Sequence, residues 1–157
     1  MWRGSATLIA LVMAGALPAN SQSSAEGWTR VRDPALGLRL EYPSKIFASD
    51  AGKTERHMGR RFRTSDGRAE FAYYSFKNDG RETPKSYLER TLVIDPRKII
   101  YQRLTDRFFV VSSVRDKRIF YSRCNFGGLV RCIYLEYPQT QKRNWDRTVT
   151  RISNSLR

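Results

Sequence analysis

The sequence predicts an α+β fold, an antiparallel β-sheet of about six to eight strands packed by two or three helices in an α/β/α sandwich. Three observations predict it. Four strand-like segments, KIIYQRL, RFFVVSSV, RIFYSRCN and LVRCIYLEY, follow one another across the short turns Thr105-Asp106, Asp116-Lys117 and Gly127-Gly128, and such close spacing requires antiparallel neighbours. The stretch AEFAYYSF is apolar on both faces, as a central strand covered on each side must be. The closing segment QKRNWDRTVTRISNSLR places Trp145, Val149, Ile152 and Leu156 in one narrow arc, which is the stripe of an amphipathic helix resting on a core.

The elements follow in chain order. MWRGSATLIALVMAGALPANSQSSA has one early positive charge, Arg3, then an apolar run from Ala6 to Leu17, then small and polar residues. That is the layout of a secretory signal peptide, and the run is too short to span a bilayer. Small residues allow cleavage after Ser21 or after Ala25, and an uncleaved anchor is the alternative reading. The expected organisation is therefore a leader over residues 1–25 and a single domain over 26–157, exported to the periplasm or the extracellular space, with no transmembrane segment after the leader. WTRVRD reads as a short strand closed by Pro34. In GLRLEY, Leu38, Leu40 and Tyr42 alternate with Arg39 and Glu41, which marks a half-buried strand that Pro43 ends.

From Ser44 to His57 the pattern is loose, and a loop or short helix anchored by Ile46 and Phe47 is expected. MGRRFRTSDGRAEFAYYSF reads as a hairpin with a tight primed turn at Asp66-Gly67. Thr83-Pro84 has the chemistry of a helix start, with a hydroxyl to cap and a proline in the first turn. Tyr87, Leu88, Thr91 and Leu92 then share a helical face, and Asp95-Pro96 ends the helix.

Charge is the strongest compositional signal: 29 Lys+Arg against 15 Asp+Glu, a formal net charge of +14. A balance of this size favours anionic partners such as phosphate-rich lipid, acidic polymer or nucleic acid, although a basic surface also serves solubility alone. Arg143, Arg147 and Arg151 form a ladder on the last helix, opposite its apolar stripe. Like charges four residues apart repel, so the ladder asks for acidic neighbours or an anionic ligand. Arg60, Arg61 and Arg63, around Phe62, form a second basic run, which carries no base-reading signature, so sequence-specific nucleic-acid binding is not expected.

Catalytic chemistry is poorly provided for. His57 is the only histidine and sits in the polar stretch KTERHMGRR, where a solvated imidazole is expected, and no nucleophile elbow supports a triad. One histidine and two cysteines do not supply the usual zinc sets, and neither a calcium loop nor a phosphate-cradling loop is present, so no cofactor or metal is expected. The four residues LEYP occur twice, ending at Pro43 and Pro138. Their carboxylates, Glu41 and Glu136, could form an acid–base pair if close together. Each alternates with core residues, however, so outward carboxylates on two strands of one sheet are expected, with Arg39 and Arg131 as partners. Cys124 and Cys132 flank NFGGLVR. A three-residue loop of Gly127, Gly128 and Leu129 with a left-handed glycine would set them face to face, and a structural disulfide is expected rather than a redox pair, whose spacing is usually C-x-x-C.

The succession GLRLEYPSKIF, SDGRAEF, RFFVVSS, RIFYSR, then LEYP and a helix ending RISNSLR resembles a group of small exported proteins of alphaproteobacteria. That group has no established catalytic residue to carry over. The opening GLRLEYP strand and the element order also resemble the PsbP-like α/β/α sandwich class, which implies a non-catalytic binding or assembly module. The function expected is thus a non-enzymatic exported binding domain whose arginines contact an anionic envelope component. The alternatives are a protein-partner module anchored by exposed Tyr73, Tyr74 or Phe126, and a small basic hydrolase using Glu41, Glu136 or His57.

Overall fold

The hydrophobic alternation of the chain's second half builds most of one sheet. The computed structural model describes residues 27–92 and 94–157; the expected leader and its cleavage positions lie outside the described residues. The strands are β1 (Thr29–Asp33), β2 (Leu38–Tyr42), β3 (Ser49–Lys53), β4 (Met58–Arg63), β5 (Glu70–Lys77), β6 (Ile99–Leu104), β7 (Phe108–Arg115), β8 (Arg118–Asn125) and β9 (Leu129–Pro138). Two helices, α1 (Pro84–Thr91) and α2 (Lys142–Ser155), complete the fold. β3 to β9 form a seven-stranded sheet in the order β3-β4-β5-β9-β8-β7-β6, antiparallel throughout, while β1 and β2 pair only with each other. The chain leaves β5 through α1, crosses to the far edge, and returns strand by strand until β9 lies beside β5.

The inner strands β5, β9, β8 and β7 feed two cores because side chains alternate between faces. On one face Phe71, Tyr73, Ile119, Ile133, Leu135 and Tyr137 pack under Leu38 and Leu40 of the β1–β2 hairpin and under Val149, Ile152 and Leu156 of α2. On the other face Phe109, Val111, Phe120 and Val130 pack under Tyr87 and Leu88 of α1. The expected sandwich is therefore present, and β5 is an inner strand covered on both sides. Among the described residues no helix is long and apolar enough to cross a membrane.

Local chemistry sets the boundaries. Thr83 caps α1 by accepting from the Ser86 N–H at 3.1 Å, while the Ser86 hydroxyl accepts from the Thr83 N–H at 3.0 Å. This reciprocal box is worth about 1 kcal/mol. The helix closes at Thr91, ahead of Asp95-Pro96, which instead opens a short 3₁₀ turn. Asp116 and Lys117, with φ of 49° and 60°, make the primed two-residue turn between β7 and β8.

Four expectations need correction here. The stretch before His57 contains an edge strand, β3, in place of a loop or short helix throughout; Phe47 is buried as expected but Ile46 is exposed. SDAGK has no apolar alternation of its own and is made extended by its ladder to β4. At Asp66-Gly67 only Gly67 has a positive φ, so the turn is not primed; its N–H donates to Thr64 O at 2.9 Å. The β8–β9 loop is Phe126 to Gly128, one residue earlier than expected, and neither glycine is left-handed. The disulfide forms nonetheless, because Cys124 and Cys132 are direct cross-strand partners with Cα atoms 4.1 Å apart. Finally, the two LEYP stretches lie in different sheets, β2 in the hairpin and β9 at the centre of the large sheet.

Gly59 shows how tightly β4 meets β5. A Cβ there would lie 2.2 Å from the Tyr73 carbonyl oxygen and 2.6 Å from the Tyr74 Cβ. Gly59→Ala must displace backbone, and we expect it to lower unfolding stability by about 1–3 kcal/mol, read as a shift in urea midpoint without a change in slope.

Candidate functional site

The sheet face that carries α1 is only partly covered. Beyond the helix, the ends of β4, β5 and β9 line the floor of a cleft of about 680 Å³. Its floor is Ala72 and Tyr74 of β5 with Tyr134 and Glu136 of β9. One wall is the last turn of α1, with Tyr87 and Arg90, and the other is the loop 54–57. That loop is held by the Thr54 hydroxyl, which donates to the His57 carbonyl, and by the Thr54 N–H to Gly59 O at 3.4 Å.

The cleft brings together residues that the sequence presents separately: His57, Arg61, Tyr74 and Glu136. His57 is half-buried rather than solvated, because its ring stacks on Phe76 with centroids 4.3 Å apart and on Tyr74 at 5.4 Å. Burial, then the nearby charges of Arg56 and Arg90, lower its pKa below 6.5 and outweigh Glu82. It is a neutral imidazole at pH 7 in a cationic setting.

Glu70 is a cleft residue the sequence reading missed. It lies directly across from Glu136 in the β5–β9 ladder, and like charges in that position repel. Arginines resolve the conflict. Arg61 and Arg63 donate to Glu70 at 3.2 Å and 3.0 Å, while Arg118 and the Tyr134 hydroxyl, the latter at 2.7 Å, donate to Glu136. Burial raises the Glu136 pKa, but Tyr134 and Arg118 outweigh it and hold the carboxyl below its usual 4.5. The signal that could have found the site is the alternation itself. Glu70, Ala72 and Tyr74, and Tyr134 and Glu136, are small or polar entries that alternate with the apolar Phe71 and Tyr73, and Ile133, Leu135 and Tyr137, of the opposite face.

Glu41 is elsewhere. It joins the hairpin to α2, accepting from Arg30 Nε at 2.8 Å and from Arg151 at 3.3 Å. Neither expected partner serves: Arg39 faces Arg32 across the hairpin, and Arg131 donates to the carbonyls of Gly37 and Leu129. No acid–base pair of Glu41 with Glu136 exists.

The six arginines expected to bind anions do not converge. Arg60 pairs with Asp50, while Arg61 and Arg63 sit one face away on Glu70. Arg143 and Arg147 are exposed on α2, and Arg151 lies 4.0 Å over the Trp28 ring as well as on Glu41. The aromatic anchors also differ from expectation. Tyr73 is buried with its pKa pushed up to about 12 by burial. Tyr74 and Phe126 are half-buried, the latter edge-on to Tyr87.

No protein-family profile matches the chain, and no curated protein matches it in sequence. Among solved structures, the fold is similar to the solution structure of cyanobacterial PsbP (CyanoP) from Synechocystis sp. PCC 6803. The superposition has a TM-score of 0.63 at 14% sequence identity and covers 90% of this chain and 98% of that one. The PsbP-like architecture is thus established as a fold; at this identity it transfers no residue role.

The lowered Glu136 pKa has a direct consequence for stability. A carboxyl whose folded pKa is depressed stabilises the fold above its unfolded pKa, and that contribution is lost as pH falls through the folded value. Glu136→Gln is expected to be less stable than the parent at pH 7, with the difference shrinking below about pH 4, as read by urea midpoints at both ends of the range.

Proposed function

We propose that this chain is an exported, non-catalytic binding domain whose arginine-rimmed cleft takes an anionic ligand. The carrying observation is the pair Arg56 and Arg115. Both line the cleft, and neither forms a salt bridge among the described residues; Arg115 lies over the Phe120 ring and reaches the Tyr134 hydroxyl, with Glu136 within its field. The carboxylates beneath them are already balanced by Arg61, Arg63 and Arg118. A ligand anion therefore meets two guanidiniums that no carboxylate salt-bridges and that can form charge-assisted bonds, over a floor of tyrosine that excludes water from one side.

The state of the carboxylates supports binding over hydrolysis. A glycosidase acid needs a raised pKa so that it holds a proton at working pH. Glu136 is held in the opposite direction, and Glu70 is clasped by two arginines. An oxidising compartment is supported by the Cys124–Cys132 bond and by the leader-like residues 1–25. A non-catalytic module also agrees with what the PsbP-like resemblance implies.

The test is equilibrium binding to phosphatidylglycerol vesicles, lipopolysaccharide and an anionic cell-wall polymer across a salt series. At least one should bind, more weakly as salt rises. Arg56→Ala/Arg115→Ala should lower its affinity by about tenfold or more, while Arg143→Ala/Arg147→Ala leaves it close to the parent. Binding that ignores salt, is absent for all three, or is lost only in the helix variant would contradict the proposal.

A further inference from the structure

The two edges of the large sheet are not alike. β3, SDAGK, is five residues with no large apolar side chain, broken by a bulge between Asp50 and Gly52 and ending in Lys53, all features by which edge strands resist pairing. β6, IIYQRL, carries the opposite character: Ile100, Tyr101 and Leu104 are 42%, 50% and 39% exposed. Its one irregularity lies at the start, and from Tyr101 to Leu104 its register with β7 is regular, Tyr101 facing Ser112 and Leu104 facing Phe109. Its outer side presents backbone N–H and C=O groups to which no strand of the described residues is paired.

β6 is also the lip of a groove of about 740 Å³ between the sheet and α2, with Val110 and Tyr121 on one side and Val149 and Ser153 on the other. The groove is cationic beside the edge. Arg103 and Arg123 lie over the Phe108 ring at 5.3 Å and 5.1 Å. Neither has a carboxylate partner among the described residues, Arg123 donating instead to Asn125 and the Ser153 carbonyl. The groove's own carboxylate, Asp146, is held by Lys142 at 2.9 Å.

We infer that β6 is a docking edge for an extended, acidic segment of a protein partner, which adds to the sheet as a further strand. Backbone bonds to β6 would supply affinity, and alternate side chains would supply specificity. On the groove side the segment needs an apolar residue beside Tyr101 and carboxylates beside Arg103 and Arg123; on the other side it needs an apolar residue over Leu104. A second copy is the poorer occupant. Each chain has a formal charge of +14, so edge-to-edge pairing would bring two strongly basic surfaces together.

The experiment uses the full chain and two fluorescent extended peptides, one alternating valine with glutamate and one alternating valine with lysine. Hydrogen exchange read by mass spectrometry locates the contact. The glutamate peptide should bind about tenfold more tightly than the lysine peptide and slow exchange over residues 99–104, and Arg103→Glu should reverse the preference. If Arg103→Glu lowers the melting temperature, loss of the parent's glutamate-peptide binding at high salt gives the same reading. Equal binding of both peptides, protection elsewhere, or β6 protection that grows with protein concentration without peptide overturns the inference, the last in favour of self-pairing.

Discussion

Coverage of the large sheet is the constraint from which the rest of the structure follows. Seven strands about 4.8 Å apart make a sheet about 30 Å wide with two faces to bury. The chain supplies two helices and one hairpin for the task. α1, with eight residues, is about 12 Å long and rests against β7 and its neighbours. It leaves the ends of β5 and β9 open, and that opening is the cleft. α2 and the hairpin cover the middle of the other face and stop short of β6 and β7, and that gap is the groove. Both concavities are places where the covering elements run out, and both are where side chains on an otherwise apolar face turn polar.

Electrostatics then decides what the open regions can do. Across the described residues, carboxylates are mostly anchors for arginine: Glu41 ties Arg30 and Arg151 between hairpin and helix, and Glu70 and Glu136 draw Arg61, Arg63 and Arg118 to the cleft. Exposed pairs of this kind are each worth only about 0–1 kcal/mol. Their effect is positional. With arginine in large excess, some guanidiniums at the rims lack a carboxylate salt bridge among the described residues, and these face the two openings.

The fold was legible where burial imposed a period on the sequence. The alternation of LRLEY, the two-faced apolar run EFAYYSF, the arc of Trp145, Val149, Ile152 and Leu156, and the Thr83-Pro84 cap each dictate their element locally. β3 was not legible, since SDAGK is extended only because β4 pairs with it. The site was less legible still. His57, Arg61 and Glu136 are about 80 residues apart at the extremes and meet only through the β4–β5–β9 order, which no local pattern records. The reading of Tyr73 as exposed failed because a strand buried on both faces gives no sign of which aromatic is outermost. Arg39 and Arg131 were plausible partners by proximity in sequence, but Arg39, two residues from Glu41, shares its face without being forced to touch it, and Arg131, five residues from Glu136, lies on the opposite face of β9.

The cleft reading is tested most directly through His57, the only histidine in the chain. Its imidazole can be titrated by NMR in the free protein and in the presence of the anion that binds. The free protein should titrate below 6.5, as burial and the charges of Arg56 and Arg90 require. An anion seated among those arginines should move the midpoint upward, and the shift should vanish in Arg56→Ala/Arg115→Ala. A midpoint that stays fixed while the anion binds would place the ligand elsewhere and contradict the account.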